Sequence, residues 1–370
     1  MRTTTVELST SKELASLSFD GRTAIVTGTT NGLGQSISEE LVKRHIGTLI
    51  MGVRNIKRGE EVKAELLAKP ELRATKSRVT IHVVELQMDD FRSVIAFADK
   101  VKDLTTTVDI LLLNAGLGGF EFQTAKTGHE RIMQVNVYSN ALLALELLPL
   151  LQQTATIKAR RSRLTWVGSF VQMDHTLTKN PISTSQSIIG QFDERSRFNR
   201  GRYQDSKLMS TMVVKQLAQH VDKNLVIFNE VSPGPVLTNF ASAYPAYFRV
   251  GIAFIGLFIN KSKSLAGGVN KYLHAMAIAG EESHGEYISD YKIAPRAPII
   301  ETSTGKELEE KFFAEVMEEF TSTDKLPEQY PRGDIISHKP PSPYISLQKT
   351  GMVSNGTSAD AGEGISPKDK

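Results

Sequence analysis

The feature that most constrains the fold of this 370-residue chain is a regular alternation of short apolar runs with longer amphipathic segments. The apolar runs have the length and composition of strands that are buried on both faces of a sheet. The segments between them carry apolar residues at helical spacing. Alternation of this kind predicts an α/β fold, a doubly wound parallel sheet of about seven strands with helices on both faces in three αβα layers.

Each predicted element has a place on the printed sequence. Strands are expected at Gly21–Thr27, Thr48–Val53, Val79–Leu86, Val108–Leu113, Arg163–Val167, Leu225–Val231 and near Gly285–Ser289. Helices are expected at Gly34–His45, Ile56–Ala68, Phe91–Leu104, Glu130–Leu151, Tyr203–His220 and Glu307–Phe320.

The alternation also predicts the domain organisation. Residues 1–17 form an N-terminal extension, and residues 18–325 form a single domain. Two long connections, at about 170–202 and 235–264, interrupt the alternation and are predicted to be substrate loops, because long connections in compact domains are often binding loops. Residues 338–370 are rich in Pro, Ser, Gly and Lys, a composition that predicts a disordered tail.

Composition excludes several kinds of protein. The net charge of only +3 argues against a nucleic-acid partner. The absence of cysteine excludes disulfides and thiolate metal sites, and it is compatible with a cytoplasmic location. No spacing of histidines indicates a metal site. The longest apolar run, Val250–Ile259, is too short to span a bilayer, although contact with a membrane surface stays open.

A glycine-rich turn lies between the first predicted strand and the first predicted helix. Glycine permits positive φ angles and lets a phosphate approach the backbone, and a helix N-terminus offers free N–H groups. The position after a strand and before a helix favours a dinucleotide site over an ordinary flexible loop. The predicted cofactor-binding residues of this turn are Gly28, Thr30, Asn31, Gly32, Leu33 and Gly34.

The end of the second predicted strand indicates which dinucleotide binds. An acid at this place would bind the 2′-hydroxyl of the adenosine ribose, whereas an arginine accepts a 2′-phosphate. The chain has Arg54 there and no acid. The planar guanidinium suits a phosphate, so we predict NADP(H), with a solvated surface arginine as the alternative.

A tyrosine and a lysine lie one helical turn apart, at Tyr203 and Lys207. A free tyrosine has a pKa of about 10, and a neighbouring ammonium favours the phenolate. Tyr203 could then exchange a proton with an alcohol or a carbonyl oxygen. Such a pair is common by chance, but Ser169 follows the fifth predicted strand, where its hydroxyl could hydrogen-bond the same oxygen.

Three further motifs occur in order with these residues. Asn114-Ala115-Gly116 ends the fourth predicted strand, Asn136 lies in the long predicted helix, and a Pro-Gly motif at 233–234 follows the sixth strand. Together with the Thr-Gly-x-x-x-Gly-x-Gly turn, they resemble the short-chain dehydrogenase/reductase family over about Asp20 to Ser289. Arg54 and the long interval between Ser169 and Tyr203 resemble the retinol-dehydrogenase-like and fungal branches of that family.

The resemblance implies a Rossmann-type domain and a role for each catalytic residue. Tyr203 would be the general acid/base, and Ser169 would orient and polarise the substrate oxygen. Lys207 would bind the nicotinamide ribose and lower the pKa of Tyr203. Asn136 would hold a water that relays protons through Lys207, with helix stabilisation as the alternative.

The resemblance also extends the predicted cofactor site. Asn114 would lie beside the adenosine ribose or support the sheet. The backbone of Val236 and the side chain of Thr238 would bind the nicotinamide carboxamide, unless Thr238 is only a capping residue. Gln87 stands where relatives usually have an aspartate that contacts adenine, which implies altered adenine binding.

These observations predict an NADPH-dependent carbonyl reductase or alcohol dehydrogenase. By analogy with the branches named above, the substrate would be a bulky apolar ketone or aldehyde, such as a lipid-like, terpenoid or polyketide carbonyl of secondary metabolism. The family resemblance also implies a homodimer through the long helix and the Tyr203 helix. The alternatives are a non-catalytic redox sensor or scaffold, and a dehydratase or epimerase on the same fold.

Overall fold

A computed structural model of the chain describes residues 10–72, 78–235 and 265–321. Within these ranges one sheet contains β1 Thr23–Thr27, β2 Thr48–Val53, β3 Thr80–Glu85, β4 Ile110–Leu113, β5 Ser162–Val167, β6 Val226–Ser232, β7 Tyr287–Ser289 and β8 Lys292–Ile293. The strand order is β3-β2-β1-β4-β5-β6-β7-β8. All neighbours are parallel except β7 and β8. The predicted parallel sheet is confirmed, and β8 adds a short antiparallel edge.

Helices cover both faces of the sheet. They are α1 Gly32–Lys43, α2 Ile56–Ala68, α3 Phe91–Leu104, α4 Ser139–Lys158, α5 Ile188–Asp193, α6 Arg202–Ala218, α7 Leu265–Leu273 and α8 Ser303–Thr321. One apolar core joins the sheet to α3, α4, α6 and α8, and the other joins it to α1, α2 and α7. The three predicted αβα layers are therefore present.

The strands explain why the chain forms two separate cores. In β1, Ile25 belongs to one core, whereas its neighbours Ala24 and Val26 belong to the other. Successive strand side chains point to opposite faces, so a strand buried on both faces must be apolar throughout. This is the pattern that made the strands recognisable in the sequence.

The long helix differs from its prediction in shape and length. It starts with a short turn, Arg131–Met133, whose first N–H groups are capped by the buried carboxylate of Glu130. A π-helical turn, Gln134–Tyr138, follows, and α4 then continues to Lys158, beyond the predicted end at Leu151. Such π turns are frequent at functional sites, and this one carries Asn136.

The connection at 170–201 packs against α8, the last helix of the described residues. Ile188 and Phe192 of α5 are buried in the same core as Phe312 of α8. The imidazole of His129 binds Asp193 at 2.8 Å and Glu319 at 3.1 Å. Burial alone would lower the pKa of His129, but these two carboxylates raise it to about 9.

Because α8 lies along α6, the chain itself covers part of the surface that was expected to form a homodimer. The homodimer stays a prediction.

The helical segment at 10–16 packs against α1 through buried Leu14, whose carbonyl accepts a hydrogen bond from Arg44. Val236, Thr238, the run Val250–Ile259 and the predicted tail lie outside the described residues. None of the described helices is long and apolar enough to cross a bilayer, and the cytoplasmic location stays a prediction.

Candidate active site

The loops at the carboxyl ends of β1, β4, β5 and β6 surround one cleft of about 930 Å³. The strand order reverses between β1 and β4, which is where open α/β sheets bind their ligands. The cleft is lined by every described residue of the predicted site except Gln87 and Asn136: Gly28, Thr30, Asn31, Gly32, Leu33, Gly34, Arg54, Asn114, Ser169, Tyr203 and Lys207.

The glycine turn has the backbone that its sequence predicts. Gly28 and Gly32 have φ angles of 72° and 55°, in the left-handed region that favours glycine. A Cβ added to Gly34 would lie 2.2 Å from the carbonyl oxygen of Gly28 and 2.6 Å from Asn114 Nδ2. The helix α1 begins at Gly32, so its first N–H groups have no partner within the helix. The missing side chain at Gly34 therefore lets the start of α1 pack closely against the backbone of the turn and against Asn114.

Asn114 fixes the floor of the turn. Its Nδ2 donates to the carbonyl oxygen of Thr27 at 2.8 Å, and its Oδ1 accepts from the Tyr272 hydroxyl at 3.0 Å. Tyr272 is buried on α7, and burial raises the pKa of its phenol well above the ordinary range, so it stays a donor. The amide of Asn114 is therefore held in one orientation by hydrogen bonds at both ends.

Arg54 and Gln87 lie at the carboxyl ends of β2 and β3. Arg54 is exposed on the cleft wall, and its guanidinium makes no hydrogen bond or ion pair with another described residue. The Gln87 amide donates to the Arg54 carbonyl oxygen at 3.3 Å and to Glu85 at 2.8 Å. Gln87 is not part of the cleft wall, whereas its neighbours Leu86 and Met88 are. Adenine contact by Gln87 stays a prediction.

Ser169 caps a short 3₁₀ helix, Phe170–Asp174, that follows β5. Its hydroxyl accepts a weak hydrogen bond of 3.3 Å from the Val171 N–H. The hydroxyl hydrogen therefore remains free to bind a substrate oxygen. No residue between 170 and 202 lines the cleft, so the role of this connection as a substrate loop stays a prediction.

Tyr203 and Lys207 project from α6 into the same cleft as Ser169. The Nζ atom of Lys207 lies 5.7 Å from the centroid of the Tyr203 ring and donates to the Val167 carbonyl oxygen at 2.8 Å. Burial lowers the pKa of Lys207 to about 8, although Glu230 opposes this shift. The spacing of four residues on a helix thus brings the phenol and the ammonium to one face, as predicted.

Asn136 links the cleft wall to α6. Its Oδ1 accepts from the Leu117 N–H at 2.8 Å, and its Nδ2 donates to the Leu117 carbonyl oxygen and to Ser206 Oγ, both at 2.9 Å. The side chain is fully buried and its hydrogen bonds hold the 114–117 loop beside the Tyr203 helix. The predicted water relay is not tested by these contacts.

Three buried residues near the site were not singled out in the sequence. Asp205 lies between Tyr203 and Lys207, and its carboxylate accepts two hydrogen bonds from Thr176, which ties the 170–201 connection to α6. Tyr272 and Glu230 lie on elements far along the chain from the residues that they face. Only Asp205, an acid inside the Tyr-x-x-x-Lys motif, carried a local signal.

The sequence also matches known proteins over most of its length. The short chain dehydrogenase family model matches residues 22–177. The chain is 35% identical to the short-chain dehydrogenase/reductase tropG of Talaromyces stipitatus, over 84% of this chain and 94% of the relative. It is 32% identical to the short chain dehydrogenase macD of Penicillium terrestre, over 84% of this chain and 94% of the relative.

Solved structures also share the fold of this chain. The NADPH-bound carbonyl reductase from chicken fatty liver superposes with a TM-score of 0.54 over 75% of this chain and 95% of that chain. The two sequences are only 16% identical, so this likeness concerns the fold alone.

Proposed function

Because this chain belongs to the short-chain dehydrogenase/reductase family of oxidoreductases, we propose that it reduces a carbonyl compound to an alcohol with NADPH as the hydride donor. One observation carries the proposal. Ser169, Tyr203 and Lys207 line the same cleft as the glycine turn, so a substrate oxygen and a dinucleotide can meet there.

The proton chemistry rests on Tyr203. Its phenol would donate a proton to the oxygen that gains negative charge during reduction. The Ser169 hydroxyl would hydrogen-bond the same oxygen, and the Lys207 ammonium would stabilise the phenolate that remains. Asn136 would support this arrangement by holding the 114–117 loop against α6, and in addition it would hold the relay water.

The residues of the cleft fit a dinucleotide phosphate. The glycine turn offers helix N–H groups, and the Asn114 amide supports it from below. When bound, NADPH supplies the hydride. Arg54 favours NADPH over NADH because its guanidinium is unpaired among the described residues and faces the cleft at the end of β2. Val236 and Thr238 would complete the nicotinamide end of the site.

A bulky apolar carbonyl compound is the proposed substrate. Leu117, Phe120, Ile132 and Val135 give the cleft an apolar wall. We extend this proposal to a lipid-like, terpenoid or polyketide carbonyl of secondary metabolism, by analogy with the fungal branch.

The test is NADPH oxidation, followed by absorbance, over a panel of bulky ketones and aldehydes. Tyr203→Phe keeps the ring and removes only the acid, so kcat should fall by about 10³-fold, within the usual range for an acid/base group. The affinity of Tyr203→Phe for NADPH should change by less than about threefold, which fluorescence titration measures.

Two outcomes would contradict the proposal. If the unchanged protein and Tyr203→Phe both bind NADPH and neither turns over any compound of the panel, the chain is a dinucleotide-binding sensor or scaffold. If Tyr203→Phe keeps the full rate, another residue is the acid.

A further inference from the structure

Glu230 is a buried acid that the proposed chemistry does not use. It lies in β6 opposite Trp166 of β5 and Tyr287 of β7, and only 1% of it is exposed. It does not line the cleft. An ionisable group is rarely buried this completely unless it is paired with another group or has a function.

The carboxyl group of Glu230 fills the space where Gly168 would carry a side chain. A Cβ added to Gly168 would lie 2.2 Å from Oε1 of Glu230. Gly168 joins two parts of the active site, because Val167 before it binds the Lys207 ammonium and Ser169 after it faces the cleft. Glu230 thus packs directly behind the backbone that positions both residues.

Thr211 connects Glu230 to the Lys207 helix. The Thr211 hydroxyl lies 3.0 Å from Glu230 Oε1 and 3.0 Å from the Lys207 carbonyl oxygen, yet it carries a single hydrogen. An ionised Glu230 would compete with the carbonyl for that hydrogen. A protonated Glu230 donates to Thr211, which then donates to the carbonyl, so both contacts are satisfied.

The surroundings of the second carboxyl oxygen also favour the neutral form of Glu230. Oε2 of Glu230 is buried and has no hydrogen-bond partner among the described residues. Leaving an ionised oxygen in this position is far more costly than leaving a neutral one. The hydrogen-bond geometry therefore favours the neutral form of Glu230.

Charged and titratable groups face Glu230 from each element around it. Lys207 faces it from α6 and Arg296 from the segment after β8, while Tyr287 lies on the next strand. Arg296 is already paired with Glu286 at 2.9 Å. Burial raises the pKa of Glu230 to about 7, against the opposing effects of Thr211, Lys207 and Arg296. Lys207 is therefore the buried cation that depends most on this acid.

We propose that Glu230 is a positioning residue for the active site: it supports the backbone at Gly168, and once its carboxyl ionises it stabilises the ammonium of Lys207 from behind. The inference rests on the proposed function, because it assigns a pH-dependent effect to Lys207 during turnover. It predicts that the charge of Lys207 is retained to higher pH when Glu230 is present.

The test is the pH profile of kcat/KM for carbonyl reduction, which reports the free enzyme. In the unchanged protein the rate should fall as the pH rises through about 8, where Lys207 loses its proton. Glu230→Gln keeps the shape and removes the charge, so the fall should move toward acid by about 0.5–1 pH unit. Glu281→Gln, which removes an exposed carboxylate that pairs with Arg161, should leave the profile unchanged.

A second variant separates the electrostatic effect from poor folding. Thr211→Val removes the hydroxyl that connects Glu230 to α6 but removes no charge, so its profile should move less than that of Glu230→Gln. The double variant should move no further than Glu230→Gln alone. Profiles of Glu230→Gln and the unchanged protein that superimpose, or an equal shift for Glu281→Gln, would overturn the inference.

A stability measurement, which needs no turnover, tests the ionisation of Glu230 independently of the proposed reductase activity. Because burial raises the pKa of Glu230 to about 7, the stability that the neutral carboxyl gives is complete in acid and is lost as the pH rises through about 7. The melting temperature of Glu230→Gln relative to the unchanged protein should therefore rise between pH 5 and pH 8. If no compound is reduced but this rise is seen, the reductase proposal fails and the ionisation of Glu230 stands. A constant difference would contradict that ionisation.

Discussion

The two walls of the cleft are built in different ways. The glycine-turn wall, Gly28–Gly34 with Asn114, owes its shape to backbone conformation and to missing side chains. The tyrosine wall, Ser169 with Tyr203 and Lys207, owes its shape to buried side chains that bind distant backbone atoms, such as Lys207 to Val167. The first wall should therefore be sensitive to added atoms, and the second to lost charges and hydrogen bonds.

The largest expected effect is on the tyrosine wall. Lys207→Met keeps a side chain of similar length and removes the ammonium, so kcat should fall by about 10³-fold. The same change should stabilise the fold. Burial lowers the pKa of Lys207 to about 8, which means that the charged lysine costs stability at every pH below about 8.

The stability gain has a definite size and pH range. The shift from 10.5 to about 8 corresponds to about 3 kcal/mol, and the lost hydrogen bond to Val167 removes about 1 kcal/mol of it. The melting temperature at pH 7 should rise by about 2–6 °C, and the gain should fade as the pH rises from about 8 through 10.5. Calorimetry checks this. A variant that melts lower and keeps its rate would show that Lys207 has a structural task instead.

The second effect tests the glycine-turn wall. In Gly34→Ala the new methyl group would lie 2.2 Å from a backbone oxygen, which cannot move aside as a flexible side chain can. Relief of this overpacking displaces the turn, and restoring its binding shape at a cost of about 3 kcal/mol corresponds to roughly 100-fold weaker NADPH binding. Fluorescence titration measures the Kd, and circular dichroism confirms that the variant is folded.

Gly119→Ala is the matched control, because Gly119 also lines the cleft but no atom lies within 4 Å of its added methyl. Its Kd for NADPH should change by less than about twofold. Equal losses in the two variants would mean that the cleft as a whole, rather than the closed turn, limits binding.

The contrast between the walls also explains what the sequence could predict. The glycine turn, Tyr203 and Lys207 are local motifs whose spacing is fixed by one turn or one helix, so they could be placed without a structure. Tyr272 and Glu230 act on residues more than twenty positions away in the chain, through contacts that only the strand order and the helix packing create. Their residue types carry no local pattern.

The same reasoning applies to the fold. The strands were predicted well because burial on both faces makes them continuously apolar, as in β4. The six-residue helix α5 was missed, since so short a segment gives little periodicity and is held by packing against α8. The π turn at Gln134–Tyr138 was missed because one extra residue per turn leaves the apolar pattern almost unchanged.

The third prediction concerns Arg54, a long charged side chain that was assigned to the cofactor site together with the glycine turn. Arg54→Ala should weaken NADPH binding by roughly 10- to 100-fold, the usual value of a charge-assisted contact, and leave NADH binding unchanged. Arg58→Ala is the control, since Arg58 is engaged by Glu61 and Glu65 on α2. Comparison of kcat/KM with the two coenzymes measures the preference. Equal losses with NADPH and NADH would contradict a role for Arg54 at the 2′-phosphate.

The smallest expected effect lies where the two walls meet. Tyr272→Phe removes only the hydroxyl that donates to Asn114, so the Asn114 amide loses one of the contacts that orient it below the glycine turn. A hydrogen bond of about 1 kcal/mol corresponds to roughly fivefold weaker NADPH binding. Tyr287→Phe is the matched control, because the buried Tyr287 hydroxyl has no hydrogen-bond partner among the described residues. If Tyr272→Phe binds NADPH as tightly as Tyr287→Phe does, the glycine-turn wall is set by its backbone alone and needs no side chain from α7.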